Sequence, residues 1–157
     1  MKRLFIAVGL GLLVVCLSLI PLWQAQAQNT QRIVTVLSSA SRVTTTNSAD
    51  FVNLGETVNV RGAYLTIDVT DAATTPLITL SVKAKDYVSG KYESVFVAAT
   101  GVATIGTHTY LIYPGIGAAD DDVVQIQSYP LPIQWRVTVE HQDSDPITYS
   151  VVALLVP

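Results

Sequence analysis

The chain has 157 residues, half of them hydrophobic, with nine Lys and Arg against twelve Asp and Glu. That acidic balance argues against nucleic acid or an anionic membrane as the main partner, since both need clustered basic side chains. The one cysteine, Cys16, excludes an internal disulfide framework, so stability must come from an apolar core.

Lys2 and Arg3 precede an uncharged apolar run, Leu4 to Ile20, which Pro21 breaks before Ala25-Gln26-Ala27. This is the layout of a secretory signal peptide, with cleavage expected after Ala27. Left uncleaved, Leu4 to Leu22 would suit a bilayer span of about 20 residues. Pro21 and the small-x-small site favour removal, so membrane contact is expected only through an uncleaved segment. Cys16 follows Val15 and is followed by more apolar residues, which does not fit a lipid-attachment site. Removal of residues 1–27 leaves 157 − 27 = 130 residues, read as a single domain over 28–157, with a charge of 7 − 12 = −5. The expected location is secreted, extracellular or periplasmic.

Beyond residue 32 the patterns have period two. Arg32–Ser38 and Thr57–Arg61 are rich in Val and Thr. Ala63, Leu65, Ile67 and Val69 alternate with polar residues over Ala63–Thr70, and Ile78, Leu80, Val82 and Ala84 do so over Ile78–Lys85. Lys91–Ala99 and Thr107–Tyr113 are less regular. Ile133, Trp135, Val137 and Val139 alternate over Ile133–Glu140, and Ile147–Val156 is apolar on both faces near its end. Each pattern predicts a strand, and branched side chains support the assignment. Turn signals separate them: Asp71–Pro76, Asp86–Lys91 with Gly90 suited to positive φ, and His141–Pro146. About seven or eight short strands at such spacing, linked by short turns, predict an all-β, antiparallel β-sandwich, Ig-like or jelly-roll-like. The longest irregular stretch is Pro114–Pro132, and long loops on a rigid sandwich commonly carry function.

Candidate chemistry is sparse. His108 and His141 have no cysteine or second histidine at metal-ligand spacing and read as structural. The candidate metal ligands, for calcium, are Asp120 and Asp122 in the acidic run and Asp143 and Asp145 in the last turn. Against them, adjacent side chains of an extended chain diverge, and Asx residues in turns bond their own backbone. No G-x-S-x-G or P-loop is present, and Glu56, Glu93 and Glu140 are the only glutamates. The chain is therefore expected to be non-enzymatic, with no resident cofactor unless calcium binds. Trp135, Tyr149 and Tyr110 fall on core registers. Tyr87 in a turn and Tyr129 in the long loop are the contact candidates.

The order of motifs from Arg61 to Leu155 carries a resemblance. Arg61-Gly62 leads into Leu65-Thr66-Ile67-Asp68-Val69-Thr70, followed by Lys85-Asp86 with Ser89-Gly90-Lys91-Tyr92. Tyr113-Pro114-Gly115, Trp135-Arg136-Val137-Thr138-Val139, Asp143-Ser144-Asp145 and Ile147-Thr148-Tyr149-Ser150-Val151 complete it. The chain resembles small all-β proteins of tailed-phage structural gene regions and related bacterial surface proteins, a group without an assigned function. The resemblance implies a virion-type or surface sandwich. The chain departs from the pattern in its signal segment and in having Tyr87 where the turn would hold proline.

These readings converge on a secreted structural or surface-interaction β-sandwich, with protein or glycan partners. The doubly apolar C-terminal strand predicts a covered central position or a homo-oligomer contact. The alternative is a small extracellular calcium- or carbohydrate-binding domain, with its site in Pro114–Pro132 and His141–Asp145.

Overall fold

The alternation read over Ala63–Thr70 is realised in one long strand whose inward residues Ala63, Leu65, Ile67 and Val69 are sealed from solvent. A computed structural model describes residues 31–53, 60–117 and 124–157. Residues 1–27, read from the sequence as a signal peptide, and Asp120 and Asp122 lie outside the described residues. Regular structure within them is all strand: β1 (Arg32–Arg42), β2 (Thr46–Asn47), β3 (Phe51–Val52), β4 (Gly62–Ala72), β5 (Ile78–Lys85), β6 (Tyr92–Val97), β7 (Gly106–Ile112), β8 (Val124–Gln127), β9 (Gln134–His141) and β10 (Ile147–Val156). They form two sheets. One has the order β1-β10-β4-β7-β8; the other has β2-β9-β5-β6, with β3 also on β9.

One core fills the space between the sheets. Leu65, Ile67, Tyr149, Val151 and Ile112 come from the first sheet, and Ile78, Leu80, Val82, Trp135, Val137 and Val139 from the second. Trp135 is wholly buried, and Phe51 stacks on it at 4.6 Å between ring centroids. The sheets thereby remove apolar surface from water on one face each, the usual driving force for two-layer β architecture. Gly62 lets β4 start close against β7, since a Cβ there would lie 2.4 Å from the Ile112 carbonyl oxygen. Gly90 takes φ 71°, as its turn requires, and the Asp86 carboxylate accepts from the Val88 and Ser89 amides.

Several expectations are corrected. The described residues hold ten strands, not seven or eight. One pair, β7 and β8, is parallel. The link between Ile112 and Val124 is long enough for a parallel return, which a short turn would not allow. That return also places a strand inside Pro114–Pro132, expected to be irregular throughout. Of Thr57–Arg61, Val60 and Arg61 are described and belong to no strand. Ile133, expected on the core face beside Trp135, is 50% exposed, because β9 begins one residue later. Leu131 is buried instead. Thr138, expected on a wet face, is buried because its hydroxyl donates to the Asn47 side chain, 2.7 Å away, on the short strand beside it.

β10 lies between β1 and β4, with every second residue inward from Ile147 to Leu155. Its outward residues Val152 and Leu154 stay half-exposed, since β1 flanks β10 and does not cover it. The 141–147 turn joins strands of different sheets, so the last two strands form no hairpin.

The indole Nε1 of Trp135 is buried without a hydrogen-bond partner among the described residues. An unmet donor costs about 1–3 kcal/mol, which offsets part of what the ring contributes. Trp135→Ala should therefore lower unfolding free energy by about 3–5 kcal/mol, while Trp135→Phe, which removes the orphan N–H, should cost clearly less. Denaturant titration by far-UV circular dichroism checks the order. Equal losses would show that the indole is not packed as described.

Candidate functional site

The outer face of the first sheet carries a row of side chains that crosses all five strands. Register pairs Ile33 with Leu154, Leu154 with Tyr64, Tyr64 with Leu111, and Leu111 with Ile126. Paired residues point to the same face, so these five apolar side chains lie side by side. Ile33 is 74% exposed and Tyr64 37%, and the other three are half-buried. The next row holds Thr35, Val152, Thr66 and Thr109, again uncharged. Asp68 enters only in the row after that, where Thr107 donates to it at 3.0 Å.

The second sheet presents a different outer face. Lys83 pairs with Arg136 there, Lys85 and Glu140 lie on the same two strands, and Lys83 bridges to Glu140 at 2.9 Å. Between β2 and β3 the edge bulges, and Ser48 Oγ accepts from the Val137 amide in place of a backbone carbonyl. The bulge carries Asp50 towards Tyr92, whose hydroxyl donates to it, and Gln134, which donates at 2.9 Å. The Arg136 guanidinium lies 3.7 Å from the Tyr92 ring centroid. The Tyr92 hydrogen bond, with help from Gln134, Lys85 and Arg136, holds the Asp50 carboxyl below the usual carboxylate range.

A cleft of about 260 Å³ opens between the β6–β7 connection and β7–β8, lined by Thr100, Thr104, His108, Thr109, Tyr110 and Gln125. Much of its polar lining is already bonded. Gln125 Oε1 accepts from the Ala99 amide at 2.7 Å, and the His108 ring meets the Thr104 carbonyl at 3.1 Å. Burial pushes the Tyr110 hydroxyl up to about 12, so it is neutral across the physiological range.

At the 141–147 end, His141 Nε2 lies 3.2 Å from the Tyr149 hydroxyl, and the Arg42 guanidinium sits 4.6 Å from the Tyr149 ring centroid. His141 Nδ1 is buried without a partner among the described residues. Asp143 and Asp145 lie in this turn. Asp143 Oδ1 accepts from the Asp145 amide at 3.2 Å, and Asp145 Oδ2 accepts from Thr74 at 2.6 Å. Both carboxylates thus brace the turn, and among the described residues no group of three or more His, Cys, Asp or Glu converges as a metal site would. Tyr87 is 63% exposed at the tip of the β5–β6 turn, and Tyr129 is 45% exposed beyond β8. They sit on different elements, and neither is among the residues that register aligns in the apolar row. Sequence reasoning placed Tyr64 and Leu154 outward but missed the row, because Ile33, Leu111 and Ile126 join it only through strand register.

No protein-family model matches the chain, and no curated protein matches it in sequence. Among solved structures it is similar to the Yersinia pseudotuberculosis-derived mitogen, at 12% identity and a TM-score of 0.42, over 80% of this chain and 86% of that one. It is similar to PirA at 10% identity and a TM-score of 0.41, over 79% and 92% of the two chains. A structure of Bacillus endospore appendages, described as a novel family of disulfide-linked pili, is similar at 11% identity and a TM-score of 0.39, over 83% and 92%.

Burial holds His141 below its ordinary value of 6.5, with Asp143 opposing and Arg42 reinforcing the shift. The unfolded chain therefore takes up this proton more readily than the folded one. Stability from His141 is complete above pH 6.5 and falls as pH drops towards the lower folded value. The melting temperature should be higher at pH 7.5 than at pH 5.5, and His141→Gln should narrow that gap. An unchanged gap in the variant would assign the pH dependence to other groups.

Proposed function

We propose that this chain is a secreted, non-enzymatic structural protein that works by surface contact. A signal segment over 1–27 would release a single domain over 28–157. The strand orders support a jelly-roll connection over an Ig-like one. The four strands β1-β10-β4-β7 face β2/β3-β9-β5-β6, and the chain passes repeatedly from one sheet to the other, as two interlocked Greek keys do. A virion-type or bacterial surface role, as the motif resemblance implies, fits the same reading.

The observation that carries the proposal is the apolar row across the outer face of the first sheet. An apolar row spanning five strands, bordered by Val152 and threonines, is what a monomer in water has least reason to keep. A contact surface explains it: β-branched and aromatic side chains lose little entropy on burial, and threonine hydroxyls supply hydrogen bonds at the margin. The chemistry of the sequence points the same way, since the two histidines sit on different elements and are engaged with Thr104 and Tyr149.

A second reading, a small extracellular carbohydrate- or calcium-binding domain, is favoured by the hydroxyl-rich cleft at Tyr110, with Asp143 and Asp145 as the calcium ligands it would use. A glycan array and calcium calorimetry separate it from the first. An array signal lost in His108→Ala, or heat lost in Asp143→Asn, would favour it.

The exported protein should show no turnover on broad hydrolase panels. A reproducible activity abolished by one substitution among Asp50→Asn, Glu93→Gln and Glu140→Gln would overturn the non-enzymatic reading.

A further inference from the structure

We propose that the outer face of the β1-β10-β4-β7-β8 sheet receives a second copy of this chain about a two-fold axis that runs along β4. This rests on the contact reading above and adds the partner and the geometry.

The apolar row reads the same from either end: Ile33, Leu154, Tyr64, Leu111, Ile126, with the aromatic residue on the central strand. Closed pairing of identical chains requires a patch complementary to itself under a two-fold rotation. An axis along β4, in the plane between two stacked sheets, provides it. It sets Tyr64 against its own counterpart, Leu154 against Leu111, and Ile33 against Ile126. Bulk and chemistry then match at each position across the row.

Charge selects the same face. Without residues 1–27 each copy carries 7 − 12 = −5, so like copies repel unless they meet where charge is absent. Every outward β4 residue lies on that axis and faces its own counterpart: Tyr64 and Thr66 do so without charge, whereas Asp68 in the next row would meet a second Asp68 and so bounds the contact. The opposite sheet, with Lys83, Lys85, Arg136 and Glu140 outward, would set like charges against each other in a stacked pair.

Size sets the strength. Five strands about 4.8 Å apart, and the two uncharged rows spaced about 6.8 Å along them, make a patch of roughly 300 Å² per copy. A standard stable interface buries about 800 Å² per partner. The pair should therefore be weak and reversible.

The axis makes residue 64 its own neighbour, and that gives the decisive test. Sedimentation velocity is run on the exported protein, its N-terminus fixed by intact mass, from about 10 μM to 1 mM. The wild type should pass from monomer to dimer over that range. Tyr64→Lys and Tyr64→Glu should each weaken self-association at least tenfold, with the circular dichroism melt as the folding control. An equimolar mixture of the two variants should associate more tightly than either alone. A wild type that stays monomeric at 1 mM, a dimer indifferent to both substitutions, or a mixture no tighter than its components would each overturn the proposal. A monomer whose row is covered by the residues before Gln31, seen as Tyr64 amide protection lost on truncation, would overturn it as well. A strict monomer without turnover leaves the contact reading standing; turnover on the panel removes that reading whatever the association state.

Discussion

The register of β4 between β10 and β7 fixes both surfaces of its sheet at once. Ala63, Leu65, Ile67 and Val69 pair with Leu155, Ala153, Val151 and Tyr149 on one side. On the other side Ala63 and Leu65 pair with Ile112 and Tyr110. This parity puts the large aliphatic side chains inside and leaves Tyr64, Thr66 and Asp68 outside. A slip of one residue would bury the Asp68 carboxylate and expose Leu65 and Ile67, which no nearby cation could offset. The core and the apolar outer row are therefore two readings of the same register.

The two outer faces differ because their strands have different second residues. In β5 and β9 the outward positions include Lys83, Lys85, Arg136 and Glu140 beside uncharged polar residues, and their charges are held by ion pairing and by the Tyr92 ring. In β4, β7 and β10 the outward positions are aromatic, aliphatic or hydroxyl-bearing, apart from Asp68 on β4. The edge of β1 is managed differently along its length. Register shifts interrupt it at Thr35/Leu37 and Leu37/Ala40, and the Arg42 guanidinium donates to the Ser38, Ala40 and Tyr149 carbonyls there. The bulges and the cation blunt that half against strand addition. The half from Arg32 to Thr35, which contains Ile33, keeps its regular ladder.

The all-β class, the buried Trp135, Tyr149 and Tyr110, and the Gly90 turn were legible in the sequence, because each follows from local periodicity or local turn chemistry. The parallel β7–β8 pair was not, since it depends on a return through the long 113–123 connection that no local pattern encodes. Thr138 defeats a rule that equates polar with wet: its hydroxyl found Asn47 on an edge strand too short to be read from the sequence. The contact residues were legible one at a time. Leu154 stood out because it made β10 apolar on both faces, whereas Ile33 and Ile126 are unremarkable until register aligns them. Asp143 accepts from the backbone of its own turn, and Tyr87 and Tyr129 are exposed but are not among the residues that register aligns in the row.

The parity of the β10–β4 pair is open to direct chemical measurement, because Cys16 is the chain's only cysteine. In a Cys16→Ser background, Ala153→Cys and Leu154→Cys place a thiol on opposite faces of the same strand. Rates of modification by a thiol reagent are measured in dilute protein under native conditions. Modification within minutes at position 154, with position 153 reacting only on unfolding, is the predicted result. The reverse order, or equal rates, would contradict the register and with it both the core and the contact face.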